Sequence, residues 1–195
     1  MPEAAPVTHF NLFLLRNFLD SEMCAKLRAE LVESPTTQAP VYIHGAEGTI
    51  HENIRKTTSM HPSRETVDRL HGLLLEQVPA VSKHFNDTLT ESEPPQFLRY
   101  QKGDFFVRHQ DGDPKQDDFD HLRVRRVSIV VFLNGFSAEP QADCFSGGLL
   151  NFYDQTKEFG LEGETGLLVA FTSDTFHEVL PVTDGERFTI ITWFR

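Results

Sequence analysis

The distribution of apolar residues along the chain changes at residues 94–95, where two prolines follow one another. Before this point, two segments repeat apolar residues every three or four positions, which is the spacing of an amphipathic helix. After it, short apolar runs alternate with Gly, Pro or acidic residues, which is typical of successive strands. The pattern predicts a largely helical first half and a β-rich second half.

Two helices are predicted in the first half. The first begins after Asp20, whose side chain can cap the helix N-terminus, and it ends at Ser34 before a proline. The second is capped by Ser63, and its apolar face contains Val67, Leu70, Leu74 and Val78. Pro79 is expected to interrupt the second helix, leaving a last turn that ends at residue 85.

Eight strand candidates follow residue 96 without an intervening helix, which favours a jelly roll or a similar sandwich. These candidates are 97–101, 105–110, 124–133, 148–153, 158–161, 167–171, 177–182 and 187–194. Shorter strands are expected within 9–18, 41–43 and 54–60, with a loop at Gly45 and Gly48 between the last two. The fold class is therefore mainly β with supporting helices.

Chain length and net charge bear on the number of domains and on the classes of partner. The 195 residues predict one domain, with helices and extra strands in 1–95 and a β core in 96–195. The formal net charge of −11 disfavours nucleic acid and anionic membranes as partners. We expect a cytoplasmic protein, because no basic segment precedes an apolar run at the N-terminus and no apolar stretch is long enough to cross a bilayer.

Candidate metal-binding residues lie in the strand pattern around residue 105. If that strand continues through His109, then His109 and Asp111 project from the same face and can converge on one ion. A chain with 9 His and 13 Asp contains about 0.6 His-x-Asp matches by chance, so this pair alone carries little information.

A third ligand is expected on another strand of the same sheet, and His177 is the best candidate. Two His and one carboxylate form the facial triad of non-haem iron(II) oxygenases, which leaves three coordination positions open. A 2-oxo acid would fill two of these positions and dioxygen the third. Arg187 would hold the distal carboxylate of the acid, because its planar guanidinium matches a carboxylate.

Three ordered motifs carry a resemblance to a known family. They are R-Y-x-x-G-D-x-x-x-x-H-x-D at 99–111, G-G-L-L-N-F-Y at 147–153, and G-L-L-V-A-F-x-S-x-x-x-H-E-V-x-P-V-x-x-G-x-R-F at 166–188. The chain resembles the prolyl-4-hydroxylase-like branch of the 2-oxoglutarate- and iron(II)-dependent dioxygenases. The resemblance implies a double-stranded β-helix, a cupin-like jelly roll, with the N-terminal helices packed on one sheet.

The resemblance also implies an activity. The family couples decarboxylation of 2-oxoglutarate to succinate and CO2 with hydroxylation of a C–H bond, using Fe(II) and O2, and ascorbate is a further candidate cofactor. Carried over by motif, His109, Asp111 and His177 would hold the iron, and Arg187 would bind 2-oxoglutarate. Tyr100 would contact the co-substrate from the neighbouring strand.

Thr189 would assist Arg187 if it faces inward.

Two positions depart from better-known members of the family. Hypoxia-factor prolyl hydroxylases carry a tyrosine on the strand that matches 127–133, where this chain has Val131 and Phe132. Collagen-type members usually carry Lys where this chain has Arg187. Neither branch therefore defines the substrate.

Three functions remain open at this stage. The first is hydroxylation of a peptidyl or protein residue, most plausibly proline, and the second is the same chemistry on a small molecule such as a free or carrier-bound amino acid. The third is a catalytically silent metal-binding β-barrel. The acidic segment 111–120 is expected to be a solvated loop beside the site and, as a hypothesis, to favour neutral or basic substrates.

Overall fold

The computed structural model describes residues 10–43, 46–112 and 124–195. The helices are α1 (Ser21–Glu33), α2 (Arg64–Leu75) and α3 (Val78–Phe85). The strands are β1 (Phe13–Leu15), β2 (Thr36–Gln38), β3 (Val41–Ile43), β4 (Ala46–Thr49), β5 (Arg55–Lys56), β6 (Thr58–Met60), β7 (Gln96–Tyr100), β8 (Phe105–His109), β9 (Val127–Phe132), β10 (Gly135–Phe136), β11 (Cys144–Gly147), β12 (Leu150–Tyr153), β13 (Glu158–Leu161), β14 (Leu168–Thr172), β15 (Phe176–Val179), β16 (Val182–Gly185) and β17 (Arg187–Phe194).

Two large antiparallel sheets form the body of the fold. The major sheet has seven strands in the order β1-β14-β9-β17-β7-β6-β2, and the minor sheet has five in the order β13-β12-β15-β8-β5. A three-stranded sheet, β10-β11-β16, and the pair β3-β4 complete the described strands. The predicted mainly β fold with supporting helices is confirmed.

The major sheet is covered on both faces, as strand β17 shows. Alternate residues of β17, among them Phe188, Ile190 and Phe194, pack in a core cluster with buried leucines of α1 and α2. The intervening residues Arg187 and Thr189 line a cavity on the other face. Because side chains alternate across a strand, one strand supports the helical layer and the cavity at once.

The predicted helices are largely confirmed. Asp20 accepts a hydrogen bond from the backbone of Met23 at 2.7 Å, and Ser63 accepts one from Thr66 at 3.3 Å, so both predicted caps are present. The expectation for Pro79 is wrong in detail. The proline lies in the first turn of α3, where a backbone N–H would have no partner within the helix, so its absence costs no hydrogen bond. The preceding helix α2 already ends at residue 75.

Several short strands differ from the prediction. Strand β3 pairs with β4 in an antiparallel arrangement. Gly48 therefore lies in β4 and not in the predicted loop, while Gly45 is outside the described residues. The segment predicted as one strand at 177–182 is divided into β15 and β16. Strands β2, β10 and β11 were not predicted, because they are two to four residues long and have no clear alternation. Within the described ranges, no helix has the length and apolar character needed to cross a membrane.

The carboxylate of Glu30 links α1 to the N-terminus of α2. Glu30 in α1 accepts hydrogen bonds from the backbone N–H of Ser63 at 3.0 Å and from the hydroxyl of Thr66 at 2.8 Å. Burial opposes ionisation of Glu30, but these hydrogen bonds lower the pKa of its carboxyl below the usual value. The carboxylate thus caps the N-terminus of α2 from outside the helix.

We predict that Glu30→Ala lowers the free energy of unfolding by about 1–2 kcal/mol at neutral pH, because two donors lose their acceptor. Urea unfolding of the variant and of the exposed control Glu33→Ala measures the difference. Because the pKa of Glu30 is lowered on folding, the contribution is present at neutral pH and is lost as the pH falls through the folded-state pKa. Equal stability of Glu30→Ala and Glu33→Ala would contradict the capping role.

Candidate active site

A cavity of about 810 Å³ is lined by residues of both large sheets. Its lining includes all six residues named from the sequence, which are Tyr100, His109, Asp111, His177, Arg187 and Thr189. Three of them, His109, Asp111 and His177, place their potential ligand atoms within 4.8 Å of one another. The cavity therefore joins a possible metal centre to a buried arginine.

The pairing of β8 with β15 brings the two histidines together. His177 lies directly opposite His109 in this antiparallel pair, and Val179 lies opposite Phe106. Three residues of β15, 177–179, thus oppose four of β8, 106–109, which is the register shift of a β-bulge. Without the bulge, Phe106 and His109 would point to opposite faces, since they are three apart. Here the ring of Phe106 stacks on His109, with centroids 3.6 Å apart.

Asp111 reaches the same point from outside the strand. β8 continues through His109, as the prediction required, and Asp111 lies two residues beyond its end. The backbone N–H groups of Asp111 and Gly112 both donate to the carbonyl of Ser173 at 3.0 Å. These two hydrogen bonds hold the backbone just after the end of β8, where the Asp111 carboxylate lies beside the two imidazoles.

Hydrogen bonds to Nδ1 fix which nitrogen of each histidine is free. His109 Nδ1 lies 2.8 Å from the carbonyl of Val107, and His177 Nδ1 lies 3.0 Å from that of Thr175. Because a carbonyl only accepts, each Nδ1 carries the proton and each neutral imidazole presents the lone pair of Nε2. The Nε2 atoms of His109 and His177 lie 3.4 and 3.5 Å from the Asp111 carboxylate.

The electrostatics of the cluster suit a bound cation. Burial and the nearby His109 lower the pKa of His177 to about 4, although Asp111 opposes the shift, so His177 is neutral at physiological pH. Burial opposes ionisation of Asp111, but His177 and then His109 hold the pKa of its carboxyl well below the usual range. Two nitrogen lone pairs then face an anionic carboxylate, and a divalent cation between them would compensate the charge. The donor set therefore fits Fe(II).

Arg187 lies in the same cavity and is 1% exposed. Burial lowers its pKa to about 10, so the guanidinium stays protonated at neutral pH. Among the described residues it has no carboxylate partner; Nε has no hydrogen-bond partner, and one terminal N–H reaches the hydroxyl of Thr189 at 3.4 Å. The rings of Phe132 and Tyr100 lie 4.9 and 5.1 Å from the guanidinium carbon.

The neighbouring residues shape the pocket around this guanidinium. Tyr100 lies directly opposite Arg187 in the β7–β17 pair, and Thr189 is fully buried, so it does face inward. Phe132 contributes a ring face to this pocket. Gly148 has a positive φ of +59°, and a Cβ there would approach Cδ of Arg187 at 3.1 Å. The second glycine of the G-G-L-L-N-F-Y motif thus leaves room for the arginine stem.

The family model for the 2OG-Fe(II) oxygenase superfamily matches residues 95–195, which is slightly more than half of the chain. The chain belongs to this superfamily. Membership implies Fe(II), 2-oxoglutarate and O2, and the matched segment includes every residue of the His-Asp-His cluster.

Curated relatives of this oxygenase are PKHD-type hydroxylases. The chain is 32% identical over 102 residues to one from Shewanella oneidensis and 33% identical over 101 residues to one from Paracoccus denitrificans. The first match covers 52% of this chain and the second 51%. Each match spans only 42% of the relative's length.

Solved structures resemble the oxygenase over nearly its whole length. A Pseudomonas putida prolyl-4-hydroxylase is 27% identical with a TM-score of 0.72, covering 96% of this chain and 94% of the other. A Trichoplax adhaerens prolyl hydroxylase in complex with a peptide fragment of hypoxia inducible factor has a TM-score of 0.74 at 18% identity, covering 95% and 84%. The second likeness concerns the fold, and it agrees with the predicted jelly roll.

Sequence reasoning missed several residues of the cavity. The guanidinium of Arg125 forms two hydrogen bonds with Glu93, at 2.7 and 2.8 Å, and its carbon lies 3.5 Å from the Trp193 ring centre. Phe106 and Arg55 were also missed. No motif marks these residues, because strand pairing brings them to the cavity from distant segments.

We predict that His109→Ala, Asp111→Ala and His177→Ala each weaken Fe(II) binding by more than about 100-fold, because each removes one of three protein ligands. Anaerobic calorimetric titration with Fe(II) measures the loss without requiring turnover, and circular dichroism checks the fold. His51→Ala, an exposed histidine outside the cavity lining, is the matched control. Asp111→Gly should retain weak binding with an additional open position. Wild-type affinity in two of the three alanine variants would refute this ligand set.

Proposed function

We propose that this protein is a 2-oxoglutarate- and Fe(II)-dependent dioxygenase that hydroxylates an unactivated C–H bond of a peptidyl residue, most plausibly proline. The observation that carries the proposal is the shared cavity, in which the His-Asp-His cluster and a buried arginine face the same space, and this arginine has no carboxylate partner among the described residues. A dicarboxylate co-substrate that bridges the two would compensate both charges.

His109, Asp111 and His177 would hold the iron, which together with 2-oxoglutarate and O2 supplies the oxidising power for C–H hydroxylation. The proton on Nδ1 of each histidine fixes the ring orientation and leaves Nε2 for the metal. Phe106 and Phe171 pack on the two imidazoles, with centroids 3.6 and 4.7 Å away, and exclude water from that side.

Arg187 would bind the distal carboxylate of 2-oxoglutarate through its planar pair of N–H donors. The hydroxyl of Thr189 accepts a hydrogen bond from one guanidinium N–H and would keep the guanidinium in one orientation. Tyr100 would contact the co-substrate from β7. The aromatic rings around the guanidinium exclude water, so the carboxylate would meet a charge that is not already solvated.

Similarity to a prolyl-4-hydroxylase over almost its full length supports a peptidyl substrate. A small molecule such as a free or carrier-bound amino acid is the second candidate, because the matches to the curated PKHD-type relatives cover only about half of this chain. The hypothesis that an acidic loop selects basic substrates concerns mainly residues 113–120, which lie outside the described residues.

Turnover assays test the proposal directly. Purified protein with Fe(II), 2-oxoglutarate and O2 should release succinate, and mass spectrometry should find a gain of one oxygen atom in a prolyl peptide. His177→Ala supplies the inactive control. Metal binding without succinate formation across peptides and amino acids would instead identify a catalytically silent metal-binding module.

We predict that Arg187→Ala raises the 2-oxoglutarate concentration needed for half-maximal succinate formation about tenfold to a hundredfold, since a charge-assisted hydrogen bond contributes about 1.5–3 kcal/mol. Steady-state kinetics at saturating Fe(II) measure the change. Arg126→Ala removes a partly exposed arginine outside the cavity and is the control. An unchanged 2-oxoglutarate requirement in Arg187→Ala would show that the distal carboxylate binds elsewhere.

A further inference from the structure

A second buried arginine lines the cavity on the minor-sheet side. Arg55 belongs to the two-residue strand β5 and lies opposite Phe106 of β8. It is 7% exposed. This arginine is separate from the predicted co-substrate site, because Arg187 enters the cavity from β17 of the major sheet.

The charge of Arg55 is not compensated within the described part of the chain. One terminal N–H donates to the carbonyl of Pro40 at 3.1 Å, while the buried Nε has no hydrogen-bond partner. Two other arginines of the lining differ in this respect: Arg125 is paired with Glu93, and Arg108 is exposed to solvent. Burying an unpaired guanidinium is costly, so this position favours a ligand that brings negative charge.

Stacking contacts place this charge close to the metal cluster. The guanidinium carbon of Arg55 lies 4.8 Å from the ring centre of Phe106, and Phe106 stacks on His109 at 3.6 Å. Only one aromatic ring therefore separates Arg55 from a proposed iron ligand. Because consecutive residues of an extended peptide are about 3.8 Å apart, a group one or two residues from the reacting carbon would reach this guanidinium.

The described lining as a whole is cationic although the chain is acidic. Asp111, in the metal cluster, is its only carboxylate among the described residues, whereas Arg55, Arg108, Arg125 and Arg187 all contribute to it. Glu93 neutralises Arg125, and the co-substrate would neutralise Arg187. Arg55 is then the buried positive charge left for the primary substrate.

We propose that Arg55 binds a carboxylate of the primary substrate, close to the carbon that is hydroxylated. This inference rests on the proposed function and adds a substrate class to it. The carboxylate belongs either to an acidic side chain one or two residues from the target residue or to the α-carboxylate of a free amino acid. Both sources offer the same pair of oxygen acceptors to the guanidinium.

The test uses capped prolyl peptides that differ only by Glu or Gln at each position within two residues of proline. Binding is measured first, on the full chain loaded with Mn(II) and 2-oxoglutarate, and hydroxylation is measured second, with Fe(II). At one position the wild type should prefer Glu to Gln about tenfold to a hundredfold in affinity and in kcat/KM. Free proline and prolinamide form a parallel pair that tests the α-carboxylate.

Variants then assign the preference to this residue. Arg55→Met should reduce the Glu-to-Gln ratio to about one, Arg55→Lys should retain part of it, and Arg55→Glu should invert it in favour of the Gln peptide. Arg126→Met, at a partly exposed arginine outside the cavity, should keep the wild-type ratio. Thermal unfolding identifies variants that fail to fold, and Arg55→Lys keeps the test valid if the larger changes do so.

The outcomes separate this inference from the proposed function. Equal binding of the charged and neutral members of every pair by the wild type, or an unchanged ratio in folded Arg55→Met, would overturn the role of Arg55. Preference for free proline over prolinamide alone would assign the carboxylate to an amino acid. Preferential binding of acidic peptides without any hydroxylation would support Arg55 and refute the proposed function.

Discussion

The antiparallel pairing of β8 with β15 is the constraint on which the site depends. It sets His177 opposite His109, and the bulge in β8 turns Phe106 and His109 onto the same face. A register shift of one residue would move these side chains to the other face of the sheet. The His-Asp-His cluster is therefore a consequence of backbone hydrogen bonding, and the hydrogen bonds to Nδ1 only refine it.

The major sheet provides the second half of the site by a different route. Strand β17 is held between β9 and β7, and its two faces serve different purposes. Apolar residues on one face join the core beneath the helices, so the strand is firmly held. Arg187 on the other face can then remain buried without a carboxylate partner, because packing elsewhere offsets the cost of its desolvation.

Burial of unpaired arginines distinguishes this cavity from an ordinary interior. Most buried charges in proteins are paired, and Arg125 with Glu93 follows that rule. Arg187 and Arg55 do not follow it within the described chain, and they lie on opposite sheets of the same cavity. Such an arrangement matches ligands that carry negative charge at two separate points, which is consistent with a dicarboxylate co-substrate and an anionic group on the substrate.

The sequence by itself determined the helix caps, most strands of the second half and six of the residues that line the cavity. These features depend on local periodicity and on motifs within about ninety residues, such as R-Y-x-x-G-D and the segment around His177. Tertiary structure alone decided the bulge in β8, the position of Asp111 beyond the strand and the approach of Arg55 to Phe106. Each of these depends on pairing between distant segments, and no local pattern encodes the register of such a pair.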